Sequence, residues 1–577
     1  FTNSPFFPAT KLLDWKRGET PRRAGVSAFG VGGTNAHVVV EEAPLPVPGG
    51  PSRSAQLLVL SAKTETALQS MTTNLASHLE ANAGLDLADV AFTLQNGRKL
   101  FNHRRTIVAS DTAEALNRLR SLEARSVFTG KAMAQAPAIV FLFPGQGAQY
   151  PGMGRELYNS ETVFRTEVDR CAAILQRHLN LDLRKVLYPE GLETTVEDAQ
   201  INETWLAQPA IFVVSYALAR LWMSWGIKPS LLIGHSIGEY VAAVLAETFT
   251  LEDALNLLSI RARLMQALPS GSMLAVRMES DKVAPLLPEG VSIAAINSRM
   301  LCVVSGPTNL IRDLQQELET KKVATLTLNT SHAFHSSMMD PMLSEFAAAV
   351  RQTPHQAPKL PWISTCTGSW MRPDDLADGE YWGRQIRHTV RFAEALELVI
   401  GETQNIILEV GPGQTLSQLA RQQAKKAAKA NVIASLGPTG EEGRDVSSIL
   451  GALGRLWTAG VRVDWTGFSA SEKRKRVALP TYPFERKRFW IEPVKAEPLS
   501  AEQINPSTPA NICVKEGDMQ PIASLNTSAQ PSRIDRLINA LRDLLKSYTG
   551  ADHSDTPPGE TFMDLGFDSM LLTQISQ

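Results

Sequence analysis

Short apolar runs and amphipathic stretches alternate through most of the chain. Between residues 137 and 440, runs with the composition of buried strands are separated by segments with helical spacing. Three of these runs are AIVFLF at 138–143, LLIGHS at 231–236 and NIILEVGPG at 405–413. Because strands that alternate with helices pair in parallel, the pattern predicts an α/β domain whose parallel sheet is covered by helices on both faces.

One stretch inside this domain has a different order. Residues 271–330 show the pattern strand, helix, strand, strand, helix, strand. This succession is typical of a ferredoxin-like subdomain, which we predict to be inserted into the parallel-sheet domain.

The flanks differ in composition from this central region. The N-terminal part ends in a Gly-rich stretch whose apolar run 38–40 predicts a buried strand, and runs at 57–62 and 104–110 predict a small α/β unit. A stretch rich in Pro, Ser, Asn and Gln predicts a flexible linker before a final helical segment. The predicted segments are 1–45, 46–136, 137–440, 441–492, 493–531 and 532–577.

Size and charge narrow the class of protein. A chain of 577 residues exceeds what one hydrophobic core supports, so several packed units are expected. No apolar run approaches the ~18 residues of a membrane span, and a net charge of −2 provides no field for nucleic acid.

The four cysteines form no CxxC pair, so no metal site is predicted and a reducing cytoplasm fits best. The chain begins with Phe1 without a signal region, as expected of a piece of a longer protein.

A serine stands out as a candidate nucleophile. Ser236 is the centre of GHSIG at 234–238, between an apolar strand and the helix-favouring EYVAAVLAE. A G-x-S-x-G serine in this context lies on a sharp strand-to-helix turn, where helix amides face any negative oxygen formed beside it.

The base and the oxyanion donors are less clearly marked. HAFHS at 332–336 follows the inserted subdomain, and spacing alone does not decide between His332 and His335 as the base. PGQGAQ at 144–149 follows the first strand of the domain and brings small residues to the sheet edge, where a backbone amide could face an oxyanion.

Taken together, several motifs resemble the malonyl-type acyltransferase domain of type I polyketide and fatty-acid synthases. They occur in the expected order: FLFPGQGAQYPGMGRELY, GHSIGEYVAA, RARLMQ, HAFHS and LEVGPGQTL. The resemblance implies an α/β-hydrolase-like acyltransferase core with the inserted subdomain, flanked by a small α/β linker domain and a partial helical carrier domain.

The same resemblance implies roles for individual residues. Ser236 would be the nucleophile and His335, the second histidine of HAFH, its base. Gln385, in WGRQIRHTVRF, would hold that histidine through its backbone carbonyl. The oxyanion would be bound by the backbone amides of Gln146 and Ile237.

Substrate choice is implied by two further positions. Arg261 would pair bidentately with the free carboxylate of a malonyl group, a task that suits a planar guanidinium. HAFH and an aliphatic residue after the serine resemble malonyl-using relatives, whereas methylmalonyl users tend to have YASH and GHSQG. Phe334 would fill the space of an α-methyl group, giving a preference that is incomplete because one methyl is worth only ~1–3 kcal/mol.

Both ends of the chain extend the resemblance to a polyketide synthase module. AFGVGGTNAHVVVEEAP resembles the C-terminal end of a ketosynthase, with His37 as its last active-site histidine. LGFDSM resembles the attachment motif of an acyl carrier domain, with 4'-phosphopantetheine carried on Ser569. The chain stops at Gln577, so this carrier domain is expected to be incomplete.

The predicted function is therefore malonyl transfer from malonyl-CoA to an acyl carrier domain of the same synthase. Expected partners are malonyl-CoA, the carrier domain and the rest of the synthase, whose parent would dimerise through its ketosynthase; no nucleic acid or membrane is expected. A serine hydrolase fits G-x-S-x-G equally well, and Arg261 separates the two because an esterase has no general need for a carboxylate clamp. A third interpretation makes the chain an inactive scaffold.

Overall fold

A computed structural model describes residues 3–30, 33–44, 49–123, 126–189, 200–377, 380–401, 405–424, 431–438, 443–486, 488, 538–539 and 542–543. The described strands are β1 (Arg23–Phe29), β2 (Asn35–Glu41), β3 (Gln56–Ala62), β4 (His103–Ala109), β5 (Val127–Lys131), β6 (Ala138–Phe143), β7 (Leu231–Gly234), β8 (Ser272–Val276), β9 (Ser292–Ser298), β10 (Leu301–Gly306), β11 (Thr325–Thr327), β12 (Trp362–Ser364), β13 (Ser369–Trp370), β14 (Asn405–Glu409) and β15 (Val432–Ala434).

The described α-helices are α1 (Glu65–Ala81), α2 (Leu87–Asn96), α3 (Thr112–Ser121), α4 (Arg155–Ser160), α5 (Thr162–Leu179), α6 (Leu183–Leu187), α7 (Thr204–Ser224), α8 (Gly238–Leu245), α9 (Leu251–Gln266), α10 (Ser280–Val283), α11 (Thr308–Thr320), α12 (Asp340–Gln352), α13 (Pro373–Ala377), α14 (Tyr381–Arg387), α15 (Phe392–Ile400), α16 (Thr415–Gln423), α17 (Asp445–Ala459) and α18 (Trp465–Phe468). Short 3-10 turns lie at Gln200–Asn202, Ala284–Leu286 and Ser337–Met339.

A six-stranded sheet in the order β13-β12-β7-β6-β14-β15 forms the centre of the molecule. All its neighbouring pairs are parallel except the one between β12 and the edge strand β13, so the predicted parallel sheet is confirmed. Strands β6 and β7 are apolar because both faces of the sheet are covered. Their register pairs Phe143 with Gly234, which brings the loops after the two strands to the same sheet edge.

The segment 271–330 forms a second sheet, in the order β11-β8-β10-β9 with antiparallel pairs. The succession of strands and helices is the one predicted for a ferredoxin-like insertion. The subdomain has its own core, built around Leu274, Val304 and Leu318. It is joined to the main domain where the Ile296 amide donates to the Val390 carbonyl at 2.8 Å.

Helix α7 is the longest helix of the described residues, and by length and composition it could span a membrane. The sequence analysis missed this segment because Gln208, Pro209 and Arg220 interrupt its apolar residues, although its mean hydropathy over 18 residues is that of a possible membrane span. In the fold, 89% of its most apolar window is buried. The helix packs against α5 and α9, as expected of a core helix.

A three-stranded antiparallel sheet, β3-β4-β5, lies on the N-terminal side of the main domain. Helix α17, from the segment after the main domain, packs across it, and a Cβ on Gly454 would lie 2.7 Å from Thr106 Oγ1. Arg53 is buried with Glu161 at 2.5 Å and Glu472 at 3.1 Å. The small sheet and the main domain are thus joined by a packed helix and a buried ion-pair cluster.

The N-terminal hairpin corrects one prediction. Strands β1 and β2 pair with each other, but every residue of both is exposed, including the predicted buried run 38–40. The hairpin has no third strand or helix packed on it in the described part of the chain. Its apolar side chains, such as Val39 and Phe29, therefore form an exposed apolar surface.

Candidate active site

The candidate nucleophile lies on a tight strand-to-helix turn. Strand β7 ends at Gly234, helix α8 begins at Gly238, and between them Ser236 has a φ of 50°, in the left-handed region. A Cβ on Gly234 would lie 2.2 Å from the Glu239 nitrogen, and one on Gly238 would lie 2.3 Å from the Phe143 carbonyl oxygen. Both glycines are therefore required by the close packing of strand and helix at this turn.

His335 is placed beside the serine. Ser236 Oγ lies 2.8 Å from His335 Nε2, and His335 Nδ1 lies 2.9 Å from the carbonyl oxygen of His388. Since a carbonyl only accepts, Nδ1 carries the proton, which leaves Nε2 free to accept from the serine hydroxyl. Burial, followed by the charges of Arg261 and His235, lowers the pKa of His335 to about 3. The imidazole is thus neutral at physiological pH, as a general base must be.

The other histidine of HAFH is held elsewhere. His332 Nδ1 lies 2.7 Å from Ser331 Oγ, and its Nε2 lies 3.1 Å from the Leu268 carbonyl oxygen. Both ring nitrogens are therefore engaged away from Ser236. Of the two histidines that spacing left open, it is His335 that the structure places beside Ser236.

The role expected of the Gln385 carbonyl, to hold His335, falls mainly to the carbonyl of His388. The hydrogen bond of the His335 ring goes to the carbonyl of His388, three residues further along the chain, whereas the Gln385 carbonyl makes only a lesser contribution that raises the pKa of His335. Instead, the Gln385 side chain donates from Nε2 to the Ser236 carbonyl oxygen at 2.6 Å. Sequence resemblance alone could not choose between neighbouring carbonyls at the C-terminal end of helix α14.

Arg261, on helix α9, is a buried cation with 2% of its surface exposed. Its Nη1 donates to Gln208 Oε1, and its Cζ lies 5.7 Å from the centre of the Tyr240 ring. Its buried Nε has no hydrogen-bond partner among the described residues. Burial lowers the pKa of Arg261, but a guanidinium stays charged. An unpaired buried donor on a cation is suited to binding an anion.

These groups line a cavity of about 840 Å³ between the main sheet and the inserted subdomain. The predicted site residues on its wall are Gln146, Ser236, Ile237, Arg261, Phe334 and His335. The backbone amides of Gln146 and Ile237 donate to no carbonyl in the described part of the chain, so both remain available to an oxyanion. The opposite wall comes from strands β8, β9 and β10.

Two polar residues of the site were not predicted. Glu239 is fully buried directly after the turn, where its carboxyl accepts from Thr365 at 2.6 Å and from the Tyr381 hydroxyl. Burial raises the pKa of Glu239 to about 7. Gln208 is 1% exposed on the apolar helix α7. A polar residue inside an otherwise apolar helix was the signal that could have identified it.

Another predicted residue, His37, lies away from this cavity. His37 is on the exposed strand β2, where its Nδ1 lies 2.8 Å from Ser27 Oγ. Ser569 lies outside the described residues.

Comparison with known protein families places these features in context. The acyl transferase domain family matches residues 140–463, the CurL-like PKS C-terminal family matches residues 56–119, and the phosphopantetheine attachment site family matches residues 539–577. The last match indicates a phosphopantetheine cofactor and contains Ser569.

Curated relatives agree with these matches. The chain is 37% identical to a phenolphthiocerol/phthiocerol polyketide synthase of Mycobacterium tuberculosis, over 99% of this chain and 38% of that protein. It is 36% identical to the polyketide synthase GfsA of Streptomyces halstedii, over 84% of this chain and 7% of that protein. The chain thus spans well under half the length of these relatives.

Solved structures give the same result. The acyltransferase domain of ZmaA superposes with a TM-score of 0.69 at 37% identity, covering 74% of this chain and all of that one. The acyltransferase domain of SpnD, solved in complex with 2-(pent-4-yn-1-yl)malonyl, superposes with a TM-score of 0.64 at 36% identity, covering 71% of this chain and 97% of that one. The chain therefore belongs to the acyl transferase domain family. Its relatives are type I polyketide synthases, and it carries the acyltransferase and phosphopantetheine attachment regions of such a synthase.

Proposed function

We propose that this chain transfers a malonyl group from malonyl-CoA, through an ester on Ser236, to the phosphopantetheine thiol of an acyl carrier domain. The observation that carries the proposal is the unpaired Nε of Arg261 in the same cavity as Ser236 and His335, within the described part of the chain. A serine and its base would serve any acyl group, whereas a buried guanidinium favours one with a free carboxylate. The malonyl derivative bound to the SpnD domain supports this choice of substrate class.

In the first step, His335 Nε2 accepts the Ser236 hydroxyl proton while the serine oxygen attacks the thioester carbonyl carbon. The negative charge on the former carbonyl oxygen is stabilised by the amides of Gln146 and Ile237, a contribution worth about 2.7–4 kcal/mol per donor. The carbon–sulfur bond then breaks, and CoA leaves as a thiol with the proton from His335. The product is the malonyl ester of Ser236.

A phosphopantetheine arm, when bound to the carrier domain, supplies the thiol that accepts the acyl group. His335 takes the proton of the attacking thiol and returns it to the Ser236 oxygen as the ester bond breaks. The same two amides stabilise the second oxyanion. Met273, Ala275 and Val303 form an apolar part of the cavity wall, which disfavours water as a competing acceptor. The fit of Ser569 to the arm rests on the family match alone.

Phe334 is proposed to limit the size of the acyl group. Its side chain lines the cavity next to His335, and its carbonyl accepts from Ser305 Oγ at 2.7 Å, which fixes the backbone there. An α-methyl group excluded by one ring changes binding by only ~1–3 kcal/mol. Malonyl is therefore preferred over methylmalonyl without being the sole substrate.

The proposal is tested by intact mass after brief exposure to malonyl-CoA or methylmalonyl-CoA. Wild type should gain a malonyl adduct rapidly and a methylmalonyl adduct slowly. Ser236→Ala should gain neither, and Arg261→Ala should lose the malonyl adduct. Labelling that is indifferent to Arg261 would favour a general serine hydrolase, and the absence of any adduct in wild type would favour an inactive scaffold.

The wider context is also a proposal. Malonyl-CoA, the carrier domain and the rest of a synthase are the proposed partners, with a parent that dimerises through its ketosynthase. The cytoplasmic location, the segment boundaries and the assignment of His37 to a ketosynthase end stay predictions from the sequence.

A further inference from the structure

A chain of buried hydrogen bonds lies behind the Arg261 guanidinium. Gln208 Oε1 accepts from Arg261 Nη1, and Gln208 Nε2 donates to Gln146 Oε1 at 3.1 Å. Gln146 Nε2 in turn lies 3.4 Å from Thr204 Oγ1. One side-chain amide thus contacts both the proposed carboxylate clamp and the side chain of a proposed oxyanion residue.

The bond to Gln208 determines which part of the guanidinium is free. In an arginine side chain, the N–H groups of Nε and Nη2 lie along one edge and can donate in parallel to the two oxygens of a carboxylate. Gln208 engages Nη1, outside this edge. Nε is buried and unpaired in the described part of the chain. The edge suited to bidentate pairing is therefore the one that Gln208 does not occupy.

We propose that Gln208 is a positioning residue that holds Arg261 with its Nε–Nη2 edge open to the substrate, and so sets the preference for acyl groups with a free carboxylate. This inference rests on the proposed function of Arg261. Gln208 would act through Arg261 and is not assigned a contact with the reacting atoms.

The chemistry of the side chain supports this role over a purely structural one. Helix α7 is apolar around Gln208, with Ala207 and Ile211 buried on either side. A buried amide in such a helix costs free energy unless both of its ends are paired, and both ends here are paired with residues of the site. An amide also holds the guanidinium without neutralising it, whereas a glutamate would form an internal ion pair.

The test measures single-turnover acylation of the full chain by malonyl-CoA and by acetyl-CoA, which has no free carboxylate. Gln208→Glu and Gln208→Met should lower the ratio of the malonyl rate to the acetyl rate by about 10- to 100-fold, the effect of one hydrogen bond to a charged group. Gln95→Met is the matched control, because it removes a buried side-chain amide from helix α2, where Gln95 Nε2 donates to the Leu57 carbonyl oxygen at 2.8 Å, away from the cavity, and it should change the ratio by less than about threefold. Thermal unfolding shows which variants fold, and Gln208→Met decides the test if Gln208→Glu does not fold.

Arg261→Ala separates the two proposals. In that background Gln208→Met should change the ratio by less than about threefold, because the residue through which Gln208 acts is gone. Equal loss of malonyl and acetyl rates in the Gln208 variants, or an undiminished effect in the Arg261→Ala background, would overturn the positioning role. A wild-type ratio that Arg261→Ala leaves unchanged would instead refute the carboxylate clamp itself.

Discussion

Gly238→Ala should slow the acylation of Ser236, although the serine itself is unchanged. Gly238 is the first residue of α8, and its Cβ would lie 2.3 Å from the carbonyl oxygen of Phe143 on the neighbouring strand β6. The carbonyl carbon and oxygen of Phe143 are backbone atoms, so no flexible side chain can move aside. The helix start must shift by about 1 Å, and Ser236, two residues earlier, must shift with it.

This shift should lower both the stability of the fold and the rate of acylation. Overpacking of this kind costs about 1–3 kcal/mol of unfolding free energy. A misplacement of about 1 Å between reacting groups costs about 100-fold in rate, and the 2.8 Å contact of Ser236 with His335 is the one at risk. Gly238→Ala should therefore acylate from malonyl-CoA about 100-fold more slowly while remaining folded.

Gly451→Ala is the matched control. Gly451 lies inside helix α17, and its Cβ would have Phe128 at 3.8 Å as its nearest neighbour. Alanine there should raise the unfolding free energy by about 0.5–1 kcal/mol and leave the acylation rate unchanged. Rapid-quench acylation assays and chemical denaturation of both variants test the reasoning, which fails if Gly238→Ala acylates at the wild-type rate.

Charges and burial lead to three other expected outcomes. Because burial lowers the pKa of His335 to about 3, the second-order rate of acylation should stay level from about pH 8 down to about pH 5, and an acid limb near pH 6.5 would contradict it. Burial raises the pKa of Glu239 from 4.5 to about 7, so the stability that its protonation contributes is complete below pH 4.5 and is lost as the pH rises through about 7. Glu239→Gln should therefore flatten that part of the pH dependence of the unfolding free energy. An unchanged slope would refute this assignment. Arg53→Met should cost about 3–5 kcal/mol because it leaves the buried Glu161 carboxylate unpaired, whereas Arg170→Met, at an exposed pair, should cost under about 1 kcal/mol. Equal losses in denaturation experiments would show that burial of Arg53 is not the cause.

Hydrophobic patterning was sufficient to predict the central sheet. Apolar runs such as 138–143 became β6 because both faces of a parallel sheet are buried, so the run is unbroken and easily recognised. The same signal failed for 38–40, where an equally apolar strand has no covering element in the described part of the chain. Helix α7 was not recognised as one apolar segment because isolated polar residues interrupt it. Patterning thus predicts which residues form elements, but it does not show what covers them.

Site residues were predictable where they belong to one short sequence motif. The turn around Ser236 is specified by glycines within five residues, so its motif indicates its geometry. The choice between His332 and His335 depends on contacts about 100 residues apart along the chain, whereas the carbonyl that orients the base comes from His388, on yet another loop. Gln208 was not predicted because it belongs to no recognised motif. Its proposed role depends on the contact with Arg261, which forms only in the fold.

Transfer from a preformed ester is the most direct measurement. Ser236 is loaded with malonyl-CoA, excess CoA ester is removed, and the decay of the malonyl adduct is followed by intact mass with and without added pantetheine. We predict that pantetheine accelerates the decay by at least about 100-fold and is recovered as malonyl-pantetheine. Decay to free malonate at the same rate with and without the thiol would contradict an acyltransferase and identify a hydrolase.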